Sequence, residues 1–222
     1  LTFNLKIKNN LLNTLYPKLH IDKDAKIEGI LSSSKNESKI KIAIPHVFYN
    51  NFDIYNLDMS INAKDSSYIS FVSIDKIKNS KYTITDFNTL SKKVNNKLNF
   101  NSEFKEGKDS ENKFLINYNY SLMKENSLIE INESKILYKN NLWEINSNNK
   151  GLLKYDHQKK KIELDSLSAK IDNEEIFISG SYSSEKDFAL FLDMNNVSVD
   201  KISPNLPKFK MKGKLDASIE LK

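Results

Sequence analysis

The side chains that could carry out chemistry are few, and they lie far apart in the sequence. The three histidines, His20, His46 and His157, lack the His-x-x-x-His and His-Glu spacings of metal sites, and the chain contains no cysteine. The sequence also lacks a Gly-x-Ser-x-Gly elbow, a dinucleotide-binding glycine motif and a Walker loop. We therefore expect no catalytic residue, no metal site and no cofactor, and we do not expect an enzyme.

Two charged clusters could imitate a functional site. Asp172, Glu174 and Glu175 could act as a general acid and base, but they follow Ile171 in a predicted turn. We expect these carboxylates to be solvated, with unperturbed pKa values. The three consecutive lysines at 159–161 fall in a second predicted turn, where the tip of a hairpin explains them without a ligand.

The net charge does not indicate a nucleic-acid partner. The 34 basic and 29 acidic residues give a net charge of +5, and every basic residue is lysine. Specific recognition of bases relies on the planar, bidentate guanidinium group of arginine, which this chain lacks. We expect no nucleic-acid partner.

Alternation of apolar and polar residues is the dominant pattern, and it predicts strands with one buried and one solvated face. It is clear in Ile40, Ile42 and Ile44, and it recurs along most of the chain. Polar, turn-forming clusters separate the alternating segments, at 32–38, 105–112, 146–151, 156–161 and 183–187. The sequence therefore predicts a β-meander of many short strands.

Helical periodicity is confined to the start of the chain. Residues 10–16 place apolar side chains at spacings of three and four before Pro17, which predicts one short helix near the N-terminus. A second segment, 86–94, has a capping Asp86 and a Leu90/Val94 pair, and it fits a helix or a strand connection.

A meander of this length must curl, split into a sandwich or close into a barrel. Alternation has already begun at Leu1 and continues to Leu221, which favours a curled sheet extending into neighbouring sequence. We therefore predict an all-β fold: an elongated, curled, largely antiparallel sheet, shaped as a β-taco or solenoid-like trough. We expect residues 1–222 to form one continuous domain, a fragment of a longer chain whose anchor or signal lies outside it.

Strand parity identifies the apolar face of the C-terminal third. Even positions share a face in 176–180 and 188–194, and odd positions do so in 209–221. The candidate ligand-facing residues are Ile176, Ile178, Phe188, Leu190, Leu192, Met194, Met211, Leu215 and Ile219. A charge at Leu190 or Ile219 is expected to disturb this face, whereas Glu at Lys214 or Ser218 is expected to be nearly silent. Alternation alone fits both a filled core and an open groove, and it favours the core.

Three stretches resemble the AsmA-like and TamB (translocation and assembly module) family. They are residues 15–31 (LYPKLHIDKDAKIEGIL), 141–149 (NLWEINSNN) with the lone Trp143, and 176–221 with its Ile-x-Ile-x-Gly strand and closing Gly-x-Leu. The resemblance implies a periplasmic protein anchored in the inner membrane by a segment outside this chain. It also implies a β-taco with an apolar interior that carries phospholipids, a role in outer-membrane biogenesis and protein assembly, and contact with an outer-membrane barrel protein through regions outside this chain.

Periodicity and resemblance together predict passive shielding of phospholipid acyl chains by an apolar trough. Burying one chain at about 25 cal/mol per Å² contributes several kcal/mol, and such contacts let the lipid slide because they are not directional. The alternative is a structural β-solenoid or adhesin-type module with a filled core and no lipid. An enzyme acting on polysaccharide ranks third, because no pair of perturbed carboxylates is apparent in the sequence.

Overall fold

The computed structural model describes residues 1–6, 16, 18–107, 111–147, 150–184, 187–202 and 212–222. Strands hold 76% of the described residues, so the all-β prediction is confirmed. The helix predicted at 10–16 falls almost wholly outside the described residues. The one helix within them is α1 (Val199–Ile202), and no described helix has the length and apolar character needed to cross a membrane.

Seventeen strands form one hydrogen-bonded sheet, and the pairings with a defined register are all antiparallel. The segment 86–94 belongs to one of these strands rather than to a helix. In chain order the strands are β1 (Thr2–Lys6), β2 (Leu19–Ile21), β3 (Lys26–Ser32), β4 (Glu37–Tyr49), β5 (Phe52–Lys64), β6 (Ser67–Lys78), β7 (Thr83–Val94), β8 (Lys97–Glu106), β9 (Asn112–Leu122), β10 (Asn126–Ile131), β11 (Ser134–Tyr138), β12 (Asn141–Ile145), β13 (Gly151–Asp156), β14 (Lys161–Ile171), β15 (Glu174–Ser184), β16 (Asp187–Ser198) and β17 (Lys214–Leu221).

The chain divides into two compact units by its contacts. The N-terminal unit comprises Leu1–Asn95 and Phe100–Lys113, and the C-terminal unit comprises Asn96–Asn99 and Phe114–Lys222. The N-terminal unit is a meander in which β4 pairs with β5, β5 with β6 and β6 with β7. On its other side β4 pairs with both β2 and β3, and β3 pairs with β1.

Asparagine and aspartate supply the backbone conformations that connect and interrupt the strands. The turn between β4 and β5 consists of Asn50 and Asn51, whose φ angles of 50° and 74° suit a two-residue hairpin loop. Asn56 in β5 and Asp86 in β7 also have positive φ, at 51° and 53°. Asn56 donates a hydrogen bond of 2.7 Å to Asp75 of β6, so polar contacts bridge this interruption of the N-terminal unit.

In the C-terminal unit the meander continues through β9, β10, β13, β14, β15, β16 and β17. Two neighbouring strands of this meander are interrupted. β10 pairs with β13, and the segments between them in sequence, β11 and β12, form a second antiparallel pair. β12 also pairs with β14.

The side chain of Asn146 forms hydrogen bonds across this interruption of the strands. Its backbone turns with a φ of 52°, and its amide nitrogen Nδ2 donates to the carbonyl of Ile131 at 3.1 Å. Its Oδ1 accepts the backbone N–H of Ser168 at 2.9 Å, and its own N–H donates to the carbonyl of Ser168. A buried side chain thus satisfies the backbone groups that a continuous ladder would otherwise pair.

Little of the sheet is buried. The buried hydrophobic side chains among the described residues are Ala25, Val47, Ile74, Trp143, Ile145 and Val197. Many large hydrophobic side chains of the described strands are at least partly exposed, among them Phe71, Leu122 and Leu142.

Candidate apolar binding face

The register of β15, β16 and β17 brings the predicted apolar residues of the C-terminal unit together. Ile178 pairs with Leu192, and Leu192 pairs with Ile219, so the three form one row across the sheet. The neighbouring rows run through Ile176, Met194 and Ala217, through Gly180, Leu190 and Leu221, and through Tyr182 and Phe188. Directly opposed residues of an antiparallel pair share a face, so these rows form one apolar face.

Two predicted positions differ from the rest. Leu215 pairs with Val197 after a register shift in β16, so it sits beyond a bulge and not in the regular rows. Met211 lies outside the described residues, as does Phe209.

The apolar face extends further than the predicted set. Leu164 of β14 pairs with Gly180 and with Leu153 of β13, and Leu153 pairs with Ile129 of β10, which pairs with Tyr120. The candidate set omitted these residues. Their alternation was the available signal, but the neighbouring strands could not be assigned without the register.

The N-terminal unit has an apolar face of its own. One row joins Ile27, Ile42, Met59 and Val72, and the next joins Ile44, Leu57, Ile74 and Phe87. The opposite face of the same strands is largely polar, as the exposed Lys39, Lys41 and Asp58 illustrate. In each unit, considered by itself, most of the paired hydrophobic side chains therefore lie on one face of the strands.

Most of the apolar face in the C-terminal unit remains accessible. Phe188 and Ile219 are 38% and 40% exposed, and Leu190 and Leu192 are half-buried. Within the part of the chain that the structure describes, every strand belongs to the one sheet and α1 is the only helix. No second sheet of described residues covers this face.

One end of this face is closed by a small core. Trp143, Ile145 and Val197 are buried together, and Ile202 of α1 packs against them. The predicted residues Ile176 and Met194 also contact this core, so their neighbours are partly the chain's own side chains. We call this region, around Trp143, the closed end of the face.

Glu174 lies beside the closed end, and the structure overturns the expectation for it. The residue begins β15 and is only 4% exposed. Its Oε1 accepts hydrogen bonds from Lys201 at 2.8 Å, from Lys214 at 2.7 Å and from the hydroxyl of Ser198 at 2.8 Å. Its Oε2 accepts the backbone N–H of Ser198 at 3.0 Å. This carboxylate is buried and paired; it is not a solvated turn residue.

Competing effects set the ionisation of Glu174. Burial alone would raise its pKa, but the hydrogen bonds from Lys201, Lys214 and Ser198 together outweigh burial and hold the pKa far below the ordinary value. The carboxylate is therefore ionised and anchors α1, β16 and β17 to the start of β15. Because Lys214 is one of its partners, a glutamate at position 214 would not be silent, contrary to expectation.

The acidic neighbours of Glu174 have other surroundings. Asp172 turns with a φ of 52° between β14 and β15. Glu175 forms an ion pair of 3.1 Å with Lys170 on the more exposed part of the sheet. These carboxylates do not form an acid–base pair with Glu174, because its oxygens are taken up by Ser198 and the two lysines.

The histidines take part in polar or aromatic contacts. The Nε2 of His46 lies 3.0 Å from the carboxylate of Asp53, and its ring stacks on Tyr55 at 4.8 Å. His20 lies beside Phe48 with ring centroids 6.0 Å apart. Among the described residues no group of three or more His, Asp or Glu side chains is arranged to hold a metal ion.

His157 follows β13, and its Nε2 lies 3.0 Å from the hydroxyl of Ser127. A serine and a histidine at this distance are the first requirement of nucleophilic catalysis. The same hydroxyl also contacts the phenol of Tyr120 at 3.2 Å, and no described carboxylate hydrogen bonds to the His157 ring. The arrangement therefore offers polar hydrogen-bonding groups without the third group that would orient a catalytic base.

Comparison with protein-family models, with curated proteins and with solved structures gives no match for this chain.

Proposed function

We propose that the apolar faces of this sheet bind phospholipid acyl chains and shield them from water. The observation that carries the proposal is the set of continuous cross-strand rows, such as Ile178, Leu192 and Ile219, that remain accessible on one face. A contiguous, accessible apolar surface is a binding site for an apolar partner. A sheet face offers no directional contacts, so the bound chain remains free to slide.

The free energy for this binding comes from removing methylene groups from water. Each buried methylene contributes about 0.8 kcal/mol, so even partial contact of one acyl chain with these rows contributes several kcal/mol. No covalent step, metal or nucleotide is needed for this function.

The wider setting of the proposal rests on the resemblance described above. We place the chain in the periplasm, as part of a longer protein anchored in the inner membrane by a segment outside residues 1–222. Its role there would be phospholipid transport between the membranes, linked to outer-membrane biogenesis. An outer-membrane barrel protein would be contacted by other regions of that protein.

A pair of adjacent substitutions tests the proposal. Leu192→Glu places a charge on the apolar face, whereas Phe191→Glu makes the same kind of change one residue earlier, on the opposite face beside Ser179 and Glu220. Both parent side chains are apolar, and both positions lie on β16. We expect Leu192→Glu to reduce bound lipid strongly and Phe191→Glu to leave it near the parental level.

Thermal melting of the same variants separates this proposal from the alternative function. On an accessible face the new carboxylate keeps contact with water, so Leu192→Glu should shift the melting temperature by only a few degrees. In a structural module with a filled interior, the same change would bury an unpaired charge and cost about 3–5 kcal/mol. Collapse of the fold, together with no lipid on the parent protein, would support a structural β-module instead.

A further inference from the structure

The apolar face of the C-terminal unit changes character at the end opposite Trp143. The last row across β10, β13, β14, β15 and β16 contains aromatic and hydroxyl side chains, with Ser127 paired to Tyr155 and Tyr182 paired to Phe188. Ile162 joins the two pairs. Tyrosine is amphipathic and suits a boundary between an apolar layer and water.

Polar hydrogen-bonding groups converge beside this row. The Ser127 hydroxyl lies between the Tyr120 phenol and the Nε2 of His157, at 3.2 and 3.0 Å. The ring of Tyr155 meets that of His157 edge-on, with centroids 5.2 Å apart. We call these four residues the polar end of the face.

Two lysine-bearing turns adjoin the polar end. The turn between β13 and β14 carries Lys159 and Lys160, and the turn between β9 and β10 carries Lys124. The backbone N–H of His157 donates to the carbonyl of Glu125 at 3.0 Å, which ties the two turns together. Lys124 and Lys160 have no ion-pair partner within the residues that the structure describes.

Two acidic residues lie near these lysines. Glu125 is exposed beside Lys124 in the same turn, whereas Asp156 is already engaged. The carboxylate of Asp156 accepts the backbone N–H groups of Gln158 and Lys159, at 3.0 and 2.9 Å, and shapes the turn. Lys161 forms an ion pair of 3.1 Å with Glu163. The lysines at the tip of the turn, at 159 and 160, are therefore the cations best placed to meet an incoming anion.

The two ends of the apolar face differ in chemistry. The small core around Trp143 closes one end, and the polar end lies at the other. From Met194 beside the core to Phe188 in the last row is six residues along β16, or about 20 Å at the rise of a strand. One lipid tail spans about 15 Å, half the thickness of a bilayer's hydrocarbon core, so it fits between the two ends.

We propose that the polar end binds the phosphate group of a phospholipid headgroup while the tails lie along the apolar rows toward Trp143. The inference rests on the proposed lipid binding and adds its orientation and ligand class. Lysine binds phosphate as a point charge, and the hydroxyl and imidazole groups of Ser127, Tyr120 and His157 supply hydrogen bonds. A neutral lipid with the same tails would lack this interaction.

The test compares two probes with identical acyl chains, palmitoyl-oleoyl phosphatidylglycerol and palmitoyl-oleoyl glycerol, titrated into the full chain and quantified by native mass spectrometry. The parent is expected to bind the phospholipid more tightly. Lys159→Ser combined with Lys160→Ser should weaken phospholipid binding by about fivefold for each lysine removed, and should leave binding of the neutral lipid unchanged.

Lys92→Ser combined with Lys93→Ser is the matched control, because it removes two exposed lysines from the end of β7 in the N-terminal unit. This control should retain the parental preference. Circular dichroism of both double variants checks that the fold is kept, and titration with inorganic phosphate alone tests whether the site takes a free anion.

The possible results distinguish headgroup recognition at the polar end from acyl-chain binding by the apolar face. Equal binding of both lipids by the parent would overturn headgroup recognition and leave acyl-chain binding standing. An equal loss in both double variants would also overturn it, because general charge would then explain the preference. Binding of inorganic phosphate as tight as that of the phospholipid would assign the lysines to a free anion. Binding of neither lipid would overturn both proposals.

Discussion

Replacement of Glu174 by glutamine tests the geometry of the closed end. The parent carboxylate accepts four hydrogen bonds, two of them from lysine ammonium groups, in a site that is almost inaccessible to water. The substituted side chain would retain the shape but lose the charge, and its amide nitrogen would face a donor, either the N–H of Ser198 or an ammonium group.

The expected cost follows from these contacts. A hydrogen bond to a charged group contributes about 1.5–3 kcal/mol, against about 1 kcal/mol for a neutral one. The side chain of Lys214 is half exposed and keeps part of its hydration, which reduces the loss. We therefore expect Glu174→Gln to lower the free energy of unfolding by about 2–4 kcal/mol.

Glu175→Gln is the matched control, one residue along the same strand. Glu175 pairs with Lys170 at the surface, where an ion pair contributes about 0–1 kcal/mol. Urea unfolding followed by fluorescence measures both variants, because the single Trp143 lies in the adjacent core. Equal unfolding midpoints for the two variants would refute the inferred role of Glu174.

The pH dependence of the same variant has a definite sign. The pKa of Glu174 is lowered in the folded state, so its stabilisation is fully present above the unfolded value of 4.5 and is lost as the pH falls through the lower folded value. The difference in stability between parent and Glu174→Gln should therefore be constant near neutral pH and shrink below pH 4.5. A difference that grows on acidification would contradict this assignment.

Three further substitutions test the close approach of β15 to β16, the strand interruption at Asn146 and the apolar face of the N-terminal unit. Gly180→Ala would bring a Cβ into steric overlap with the carbonyl oxygen of Ala189, so the strands must shift, and we expect a loss of about 1–3 kcal/mol in urea unfolding. Asn146→Ala leaves buried backbone groups at the strand break without partners, and should cost about 2–3 kcal/mol in the same assay. In the N-terminal unit, Ile42→Asp should reduce bound lipid in native mass spectrometry, whereas Lys41→Asp on the opposite face should not.

Alternation was sufficient to predict the all-β class and the faces of individual strands. Ile176 and Ile178 share one face of β15, and Leu190 and Leu192 share one face of β16, because side chains alternate between the two faces of a strand. The polar clusters at 32–38 and 156–161 contain the turns at 33–36 and 157–160. Local pattern determines these features, so the sequence alone reveals them.

The unpredicted features depend on contacts between distant segments. Glu174 has the pattern of a solvated turn residue, and its burial arises from Ser198, Lys201 and Lys214, which lie 24 to 40 residues away. The interruption of the strands at Asn146 could not be predicted from the sequence either, because asparagine followed by serine is also typical of an ordinary turn. The segment 86–94 was ambiguous because its Leu90/Val94 spacing suits a helix, whereas pairing with β6 determines a strand.

Lipid binding by the apolar face can be measured on the protein as purified. Mass spectrometry of organic extracts from the purified full chain tests it most directly, with Leu192→Glu and Phe191→Glu prepared in parallel. We expect phospholipid in the extracts of the parent and of Phe191→Glu, and strongly reduced phospholipid in the extract of a folded Leu192→Glu protein. A well-folded parent protein that yields no phospholipid, even after incubation with phospholipid vesicles, would contradict lipid binding by this face.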